Sequence, residues 1–293
     1  MRILHVSDVH LEDGFRGVPP KLFANKRFAG YLNLRLKRRR HFEGAAEKLG
    51  MLAELAAAEG VDAVLCSGDY TALGTEPELA FARTTVQRLV DASADFVTVP
   101  GNHDVYLPDA LGSFERHFGD LMTSDLPEVA VDGPYPHVRL LGEHVAVVSV
   151  NSARPNPPIT RSSGFVPEAQ LEALERVLAD ARVAERFVFV MTHYAPRLWT
   201  GEPDSPSHGL DNADAFLAAC GGLRRGAIVH GHVHRCYTVR VPDCPVPLFG
   251  AGSTTQAHRE GLWLYDVGPE AAEARQGRFD GTRYVVDGEP VVL

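Results

Sequence analysis

The sequence predicts a layered α/β fold, and three features of the chain support this prediction. Short apolar runs rich in β-branched residues recur along most of its length, and each ends abruptly at Gly, Asn, Asp or His, as buried strands do. Stretches in which apolar residues recur at helical spacing lie between several of these runs, and such alternation is typical of sheets covered by helices. From residue 237 onward, short β-rich segments follow one another between Pro, Gly and Asp, which indicates a β-meander.

Each predicted element has its own signal in the sequence. Short apolar runs predict strands at residues 3–6, 61–66, 96–99, 145–150, 187–191 and 227–229. Helical spacing predicts helices at residues 42–58, 78–92 and 168–181, and Pro167 suits the first turn of the last one. In the C-terminal part, strands are predicted at residues 237–241, 246–249, 262–267 and 284–293.

The composition is that of an ordinary globular protein. The chain has 293 residues, of which 45% are hydrophobic and 23% are charged, and it contains no run of eighteen apolar residues that could cross a membrane. A net charge of −9 argues against a general binder of polyanions, so we expect no stable complex with nucleic acid. The lack of a secretory signal at the N-terminus predicts a cytoplasmic protein with reduced cysteines at Cys66, Cys220, Cys236 and Cys244.

Side chains of the kind that bind metal ions follow five of the predicted strands. The segments are SDVH with Asp8 and His10, SGDY with Asp69, PGNHD with Asn102 and His103, MTHY with His193, and GHVH with His232 and His234. Ligand sites in open α/β sheets lie at the carboxyl ends of the strands, so these residues are expected to converge in space. Carboxylate, imidazole and amide donors suit first-row transition metals, and their number predicts two ions that share one carboxylate.

In order and spacing, these segments resemble the signature of the calcineurin-like metallophosphoesterase superfamily, which is D-x-H, G-D, G-N-H-[DE], H and G-H-x-H. The resemblance implies a four-layer α/β/β/α sandwich, in which two mixed β-sheets are flanked by helices. It also implies two ions of Mn, Fe or Zn. The first would be held by Asp8, His10, Asp69 and His234, and the second by Asp69, Asn102, His193 and His232, so that Asp69 bridges them.

The resemblance implies a reaction as well. A hydroxide that bridges the two ions would attack the phosphorus of a small-molecule phosphate ester, with His103 as general acid for the leaving group and Asp104 as the residue that orients it. Protein Ser/Thr phosphatases of this superfamily carry G-D-x-x-D-R-G, whereas here Gly68 and Asp69 are followed by YTALG. The segment SGDYT is more similar to small bacterial phosphodiesterases of the cyclic-nucleotide type. We therefore expect a phosphodiesterase, with a phosphomonoesterase, a nucleotide-lipid pyrophosphatase and a non-catalytic metal-binding scaffold as alternatives.

The chain is predicted to form a single domain over residues 1–293, with a basic insertion at about 11–42 and a β-rich part from about 237. Residues 1–50 contain eleven Lys or Arg and five Asp or Glu, a net charge of +6, so the remainder of the chain carries −15. Helical spacing of Phe28, Tyr31, Leu32 and Leu36 predicts an amphipathic basic segment. Two interpretations stay open: a surface helix packed on the core, or a cap in which Arg38, Arg39 and Arg40 bind a second phosphate, a nucleotide or a lipid headgroup. The sequence does not specify the oligomeric state.

Overall fold

The chain forms two mixed β-sheets whose inner faces share one hydrophobic core. The computed structural model describes residues 1–12, 14–15 and 17–293, with the side chains of residues 37–39 outside the described part. Apolar residues of both sheets, including Val64 and Phe187, belong to the same buried cluster. Helices cover the outer surfaces, so the predicted four-layer fold is confirmed.

The strands of this fold number thirteen within the described residues. They are β1 (Arg2–Val6), β2 (Ala63–Cys66), β3 (Asp95–Thr98), β4 (His137–Leu141), β5 (Val145–Ser149), β6 (Phe187–Met191), β7 (Gly226–His230), β8 (Cys236–Val239), β9 (Leu248–Ala251), β10 (Leu262–Val267), β11 (Ala272–Phe279), β12 (Tyr284–Val286) and β13 (Val291–Val292). The first sheet has the order β12-β11-β10-β1-β2-β3, with β13 paired to β11. The second has the order β4-β5-β6-β7-β9-β8.

The helices lie mostly between parallel strands. They are α1 (Lys26–Asn33), α2 (Ala45–Glu59), α3 (Glu76–Val90), α4 (Ser113–Phe118), α5 (Glu168–Ala179), α6 (Ala181–Ala184) and α7 (Ala213–Ala219). Helix α3 begins with a capping box, in which the Glu78 carboxylate accepts hydrogen bonds from the Thr75 backbone and hydroxyl at 3.0 and 2.7 Å. Apolar residues of α2 and α3 join the core of the first sheet, and α5 and α7 pack on the second.

The sequence signals miss several elements. Strand β11 alternates buried and more exposed positions and carries charged residues, so it shows no apolar run. In strand β4 the apolar run is interrupted by Arg139, which forms ion pairs with Asp95 and Asp125 at 2.5 and 3.1 Å. Helices α4, α6 and α7 are too short to show helical periodicity.

The predicted C-terminal meander is also different in the structure. Strands β8 and β9 belong to the second sheet, whereas β10 extends the first sheet antiparallel to β1 and β11 pairs antiparallel with β10. The segment predicted at 284–293 divides into β12 and β13. A local pattern identifies strands but contains no information about which sheet they join. All four cysteines are free, and no helix among the described residues has the length and apolarity to cross a bilayer.

Candidate metal centre

The parallel strands of both sheets end at one edge, and the residues that follow them meet there. In the first sheet, β1 and β3 flank β2 in parallel, and in the second, β6 lies parallel between β5 and β7. The loops are joined directly: the amide of Asp8 donates to the Gly68 carbonyl at 2.9 Å, and the amide of His232 donates to Asp8 Oδ2 at 3.0 Å. The site therefore lies where the two sheets come together.

One group of donor atoms comprises Asp8, His10, Asp69 and His234, whose ligating atoms all lie within 4.8 Å of one another. The Nε2 atom of His234 is 3.1 Å from Nε2 of His10 and 3.1 Å from Oδ1 of Asp8. Asp69 Oδ2 lies 3.8 Å from His10 Nε2. This is the set that the family resemblance implied for the first ion.

The second group shares Asp69 with the first. Its Oδ2 atom is 3.5 Å from Nε2 of His193, and that nitrogen is 3.1 Å from Oδ1 of Asn102. His232 contributes Nδ1, which lies 2.8 Å from the same amide oxygen. Asp69 thus lies between the two groups, as expected for a bridging carboxylate.

The backbone around these residues is strained in a way that the sequence did not reveal. Non-glycine residues with positive φ are uncommon, yet five of the donor residues have it: Asp8, His10, Asp69, His232 and His234, with φ between 40° and 72°. Gly101 and Gly231 allow neighbouring loops to approach each other closely. A Cβ atom at Gly101 would collide with the carboxylate of Asp69, and one at Gly231 would collide with the hydroxyl of Ser7.

Each of the four histidines is held by an oxygen acceptor at its outer nitrogen. Nδ1 of His10 lies 3.0 Å from the Thr71 carbonyl, and Nδ1 of His193 lies 2.7 Å from the Ser67 carbonyl. The corresponding partners are the carbonyl of His208 for Nε2 of His232, at 2.8 Å, and the side-chain oxygen of Gln256 for Nδ1 of His234. Because carbonyl oxygens only accept, each outer nitrogen carries a proton, and the inner nitrogens of the neutral rings present lone pairs.

These inner lone pairs face other electron-rich atoms, which is unfavourable unless a cation lies between them. The amide of Asn102 donates from Nδ2 to the hydroxyl of Ser162 at 3.2 Å, so its oxygen points toward His193 and His232. Oδ1 of Asp8 is buried without a hydrogen-bond partner among the described residues. The donor set, oriented lone pairs and unsatisfied carboxylate oxygen together fit two transition-metal ions.

The electrostatics agree with a site built for positive charge. Burial would lower the pKa of His193, but the carboxylates of Asp69 and Asp8 outweigh it and raise this pKa to about 9. Burial would raise the pKa of Asp69, yet the neighbouring His193, His103 and His10 hold it well below the usual range. A proton on His193 therefore occupies the position that a metal ion would take.

His103 lies beside the donor groups and lines the same cavity. Its backbone amide donates to Asp69 Oδ1 at 2.7 Å, its ring centroid is 4.9 Å from that of His10, and it stacks on Tyr106. Nδ1 of His103 is 2.5 Å from the carbonyl oxygen of Ala72. The structure thus places His103 next to the centre with a backbone oxygen at one ring nitrogen.

Asp104 has a different task from the orienting role expected from the sequence. Its carboxylate accepts hydrogen bonds from the backbone amides of Asp69, Tyr70, Thr71 and Gly101 at 2.9–3.0 Å, which holds the Asp69 loop against the loop that carries Asn102. Burial and the charge of Asp69 raise its pKa to about 7. The atom at Nδ1 of His103 is the carbonyl oxygen of Ala72, and not a carboxylate oxygen of Asp104. Asp104 therefore positions the Asp69 loop and not the ring of His103.

A cavity of about 470 Å³ opens over both donor groups. Its far wall contains residues that sequence reasoning missed: Trp199, Asp204, His208 and Arg259. The carboxylate of Asp204 lies 2.6 Å from Nδ1 of His208, and the guanidinium of Arg235 lies 4.2 Å from the centre of the Trp199 ring. These residues are on loops with no strand-end pattern, so only their position in the fold identifies them.

The basic insertion packs against the other side of the centre. Gly30, Asn33, Leu34 and Phe42 border a small cavity that also contacts His10 and His103, and the Phe42 ring lies 4.8 Å from that of His10. The side chains of Arg38 and Arg39 lie outside the described residues. Arg40 is exposed and is not among the residues that line the large cavity, so a direct role in substrate binding stays a prediction.

Residues 1–236 of the chain match the family model described as calcineurin-like phosphoesterase. No curated protein matches the chain. Among solved structures, a dimetal phosphatase from Danio rerio has 16% sequence identity and a TM-score of 0.68, with 98% of each chain covered. A purple acid phosphatase from yellow lupin (Lupinus luteus) seeds has 11% identity and a TM-score of 0.61, covering 98% of this chain and 52% of the lupin chain. These similarities support the fold.

Proposed function

Because the chain belongs to the calcineurin-like phosphoesterase family, we propose that it is a dinuclear metal-dependent phosphodiesterase acting on a small-molecule ester. The observation that carries this proposal is the convergence of oriented imidazole lone pairs on both sides of one carboxylate, that of Asp69. We assign Asp8, His10, Asp69 and His234 to one ion, and Asp69, Asn102, His193 and His232 to the other.

When bound, the two ions lower the pKa of a coordinated water toward neutrality and neutralise charge on the phosphoryl oxygens. The residues of the chain do the remaining work. Asp104 accepts the backbone amide of Asp69, which fixes the position of the carboxylate that the two ligand sets would share. His103, next to the centre but outside both ligand sets, is assigned the transfer of a proton to the departing alkoxide.

The charge balance of the centre favours an anionic substrate. Two divalent ions contribute about +4, and the carboxylates of Asp8 and Asp69 together with one hydroxide remove three of these charges, which leaves about +1. This excess attracts a phosphate ester anion, and the preference for a diester rests on the similarity of the SGDYT segment to small bacterial phosphodiesterases. Among the described residues that line the cavity over the donor groups, Arg259 is the only Lys or Arg. Its guanidinium donates to the His234 carbonyl at 3.3 Å.

The walls of the cavity suit an ester with an organic group. The apolar side chains that line it are Leu198, Trp199 and Val233. Arg259 is among the polar lining residues. The lining is mostly polar, and these three side chains give it an apolar part that an organic substituent of the ester can contact. This supports a diester with an aromatic or nucleoside-like substituent, a group to which cyclic nucleotides belong.

The test is a substrate panel on metal-depleted and reconstituted protein. Chelator-treated protein should be inactive, and Mn²⁺ should restore hydrolysis of bis(p-nitrophenyl) phosphate in preference to p-nitrophenyl phosphate. A preference for the monoester would replace the diesterase proposal with a phosphomonoesterase. Binding of two Mn²⁺ without turnover of either compound, or of nucleotide-lipid pyrophosphates, would make the chain a metal-binding scaffold. The single-domain organisation and the cytoplasmic location stay predictions.

A further inference from the structure

The outer face of helix α1 and of the turn that follows it carries an uncovered row of large apolar side chains. Phe28, Leu32 and Leu36 recur four residues apart and are 53%, 39% and 78% exposed. Residues four apart lie on one side of a helix, so the three side chains form one continuous surface. We call these three residues the apolar row. Exposed apolar side chains that are contiguous, and not scattered, mark interaction surfaces.

The segment of the chain that carries the apolar row has charged residues of one sign only. Residues 14–42 contain nine Lys or Arg and no Asp or Glu, whereas the whole chain has a net charge of −9, so the other residues together carry −18. Lys21, Arg35 and Arg40 are exposed on this segment. An anionic surface would attract this segment and repel the rest of the molecule, which selects one orientation.

The inner face of α1 holds the apolar row in place. Lys26 and Arg27 are buried and point toward the core: Lys26 Nζ donates to the carbonyls of Asn156 and Arg161 at 2.8 Å, and Arg27 Nε donates to the Leu73 carbonyl at 2.9 Å. Arg27 also pairs with Asp109 at 2.7 Å. These two basic residues are therefore part of the folded interior, whereas Lys21, Arg35 and Arg40 are accessible from outside, with Arg35 donating to the Tyr31 hydroxyl at 3.1 Å.

From this arrangement we propose that the apolar row and the exposed basic residues beside it dock the protein on the surface of an anionic lipid bilayer. Basic amphipathic helices lie in the plane of such a surface, with apolar side chains among the acyl chains and Lys or Arg at the headgroups. The enzyme would be a peripheral protein, held with α1 against the bilayer.

The observations disfavour two other occupants of this face. A symmetric dimer would place the same patch of two copies together, and two segments with nine basic residues each would repel. A nucleic acid would engage the basic residues through its phosphates but would leave the apolar row without an apolar partner. A bilayer provides both negative headgroups and an apolar interior.

The experiment is sedimentation of the full chain with vesicles of phosphatidylcholine, with or without phosphatidylglycerol. Wild-type protein should bind the anionic vesicles and bind neutral ones weakly, equally with and without chelator because the metal centre is not involved. The variant F28S/L32S/L36S should lose roughly tenfold or more in affinity. The control L111S/I159S/V292S removes three side chains that are 58%, 69% and 75% exposed elsewhere, and it should bind like wild type.

A second variant separates charge from apolar contact. R35E/R40E keeps the apolar row and should also lose roughly tenfold or more in binding to anionic vesicles, with a loss that shrinks as salt is added. Thermal unfolding of each variant verifies that it is folded. Unchanged binding by F28S/L32S/L36S, or no binding by wild type, would overturn the proposal. So would a wild-type dimer that this variant dissociates, or a single-stranded oligonucleotide that binds wild type and displaces it from vesicles.

Discussion

At the scale of single residues, the candidate metal centre depends most on Asp69. Its Oδ2 atom faces both His10 and His193, while its Oδ1 atom accepts the backbone amide of His103 at 2.7 Å. The residue is buried at a positive φ of 61°. One carboxylate therefore links both groups of donors and the neighbouring His103.

Replacement of this bridge should remove both ions. For Asp69→Ala we expect loss of bound metal to below one ion per chain, together with loss of activity, because each ion loses a ligand and the two lose their shared charge. Elemental analysis of protein reconstituted with Mn²⁺ measures this. Glu175→Ala, which removes an exposed carboxylate of α5, is the control and should retain two ions. Full metal content in Asp69→Ala would show that the assignment of the bridge is wrong.

His103 should affect turnover without affecting metal content. We expect His103→Ala to reduce kcat by about 10²- to 10⁴-fold, with the largest loss for alkyl esters, since an alkoxide of high pKa needs a proton most. Steady-state kinetics on a series of leaving groups, alongside metal analysis, measures this. Equal losses for p-nitrophenyl and alkyl esters would remove the general-acid role, and loss of metal would place His103 among the ligands.

At the scale of elements, helix α1 approaches the catalytic loops closely at Gly30. A Cβ atom there would lie 2.6 Å from Leu73 Cδ2 and 2.8 Å from the Tyr106 hydroxyl. Tyr106 stacks on the ring of His103, with centroids 5.7 Å apart. Tyr106 therefore lies between the insertion and His103.

A larger residue at position 30 should disturb both the packing of α1 and the position of His103. We expect Gly30→Val to lower the free energy of unfolding by about 1–3 kcal/mol, as overpacking does, and to reduce kcat more than it changes KM. Denaturant unfolding and kinetics measure the two effects. Gly119→Val is the matched control, because no atom lies within 4 Å of a Cβ built there and its φ is −59°. Equal effects of the two substitutions would contradict this account.

Strand β4 places a titratable group where it cannot be charged. His137 is fully buried, and neither ring nitrogen has a hydrogen-bond partner among the described residues. Burial, with a contribution from the nearby Arg139, lowers its pKa from the ordinary 6.5 to about 3. The unfolded chain therefore binds a proton between these pH values, and the folded chain does not.

The consequence is a stability that falls with acid. At pH above 6.5 the ring is neutral in both states, and below it each pH unit should reduce the free energy of unfolding by about 1.4 kcal/mol until the folded pKa is reached. His137→Leu should remove this part of the slope, as measured by urea unfolding from pH 7 to pH 4. His144→Leu, at an exposed position, is the control. An unchanged slope in His137→Leu would show that the ring is protonated in the folded state.

At the scale of the whole molecule, the metal centre joins the two sheets. Asp8, Asp69 and Asn102 follow strands of the first sheet, and His193 and His232 follow strands of the second. Ions held by these residues bind only when both sheets are assembled, so metal binding should stabilise the fold.

We therefore expect chelation to lower the melting temperature and Mn²⁺ to restore it. Each ion present at 100 times its Kd contributes about 2.7 kcal/mol to the free energy of unfolding, provided that it does not bind the unfolded chain. Calorimetry of wild type and of Asp69→Ala measures this, and the variant should show no shift with Mn²⁺. A shift of the same size in the variant would indicate binding at another place.

The sequence alone determined the layered fold class, the family and the identity of the residues that converge. Strand ends have a local signature, an apolar run that stops at a polar residue, and metal donors are chemically distinctive. Asp69 illustrates this, because its type and its place after β2 predict a carboxylate among the converging donors, and it lies close to His10 and His193. Its role as the bridge was implied by the family resemblance.

Tertiary structure decided everything that depends on distance between loops. It showed that the Asp104 carboxylate holds the Asp69 loop and that the Ala72 carbonyl faces Nδ1 of His103. It also brought Trp199 and Arg259 to the cavity and left Phe28, Leu32 and Leu36 uncovered on a basic surface. A sequence pattern is local in the chain, whereas hydrogen bonding and burial are set by residues far apart in it, so these roles could only be seen in three dimensions.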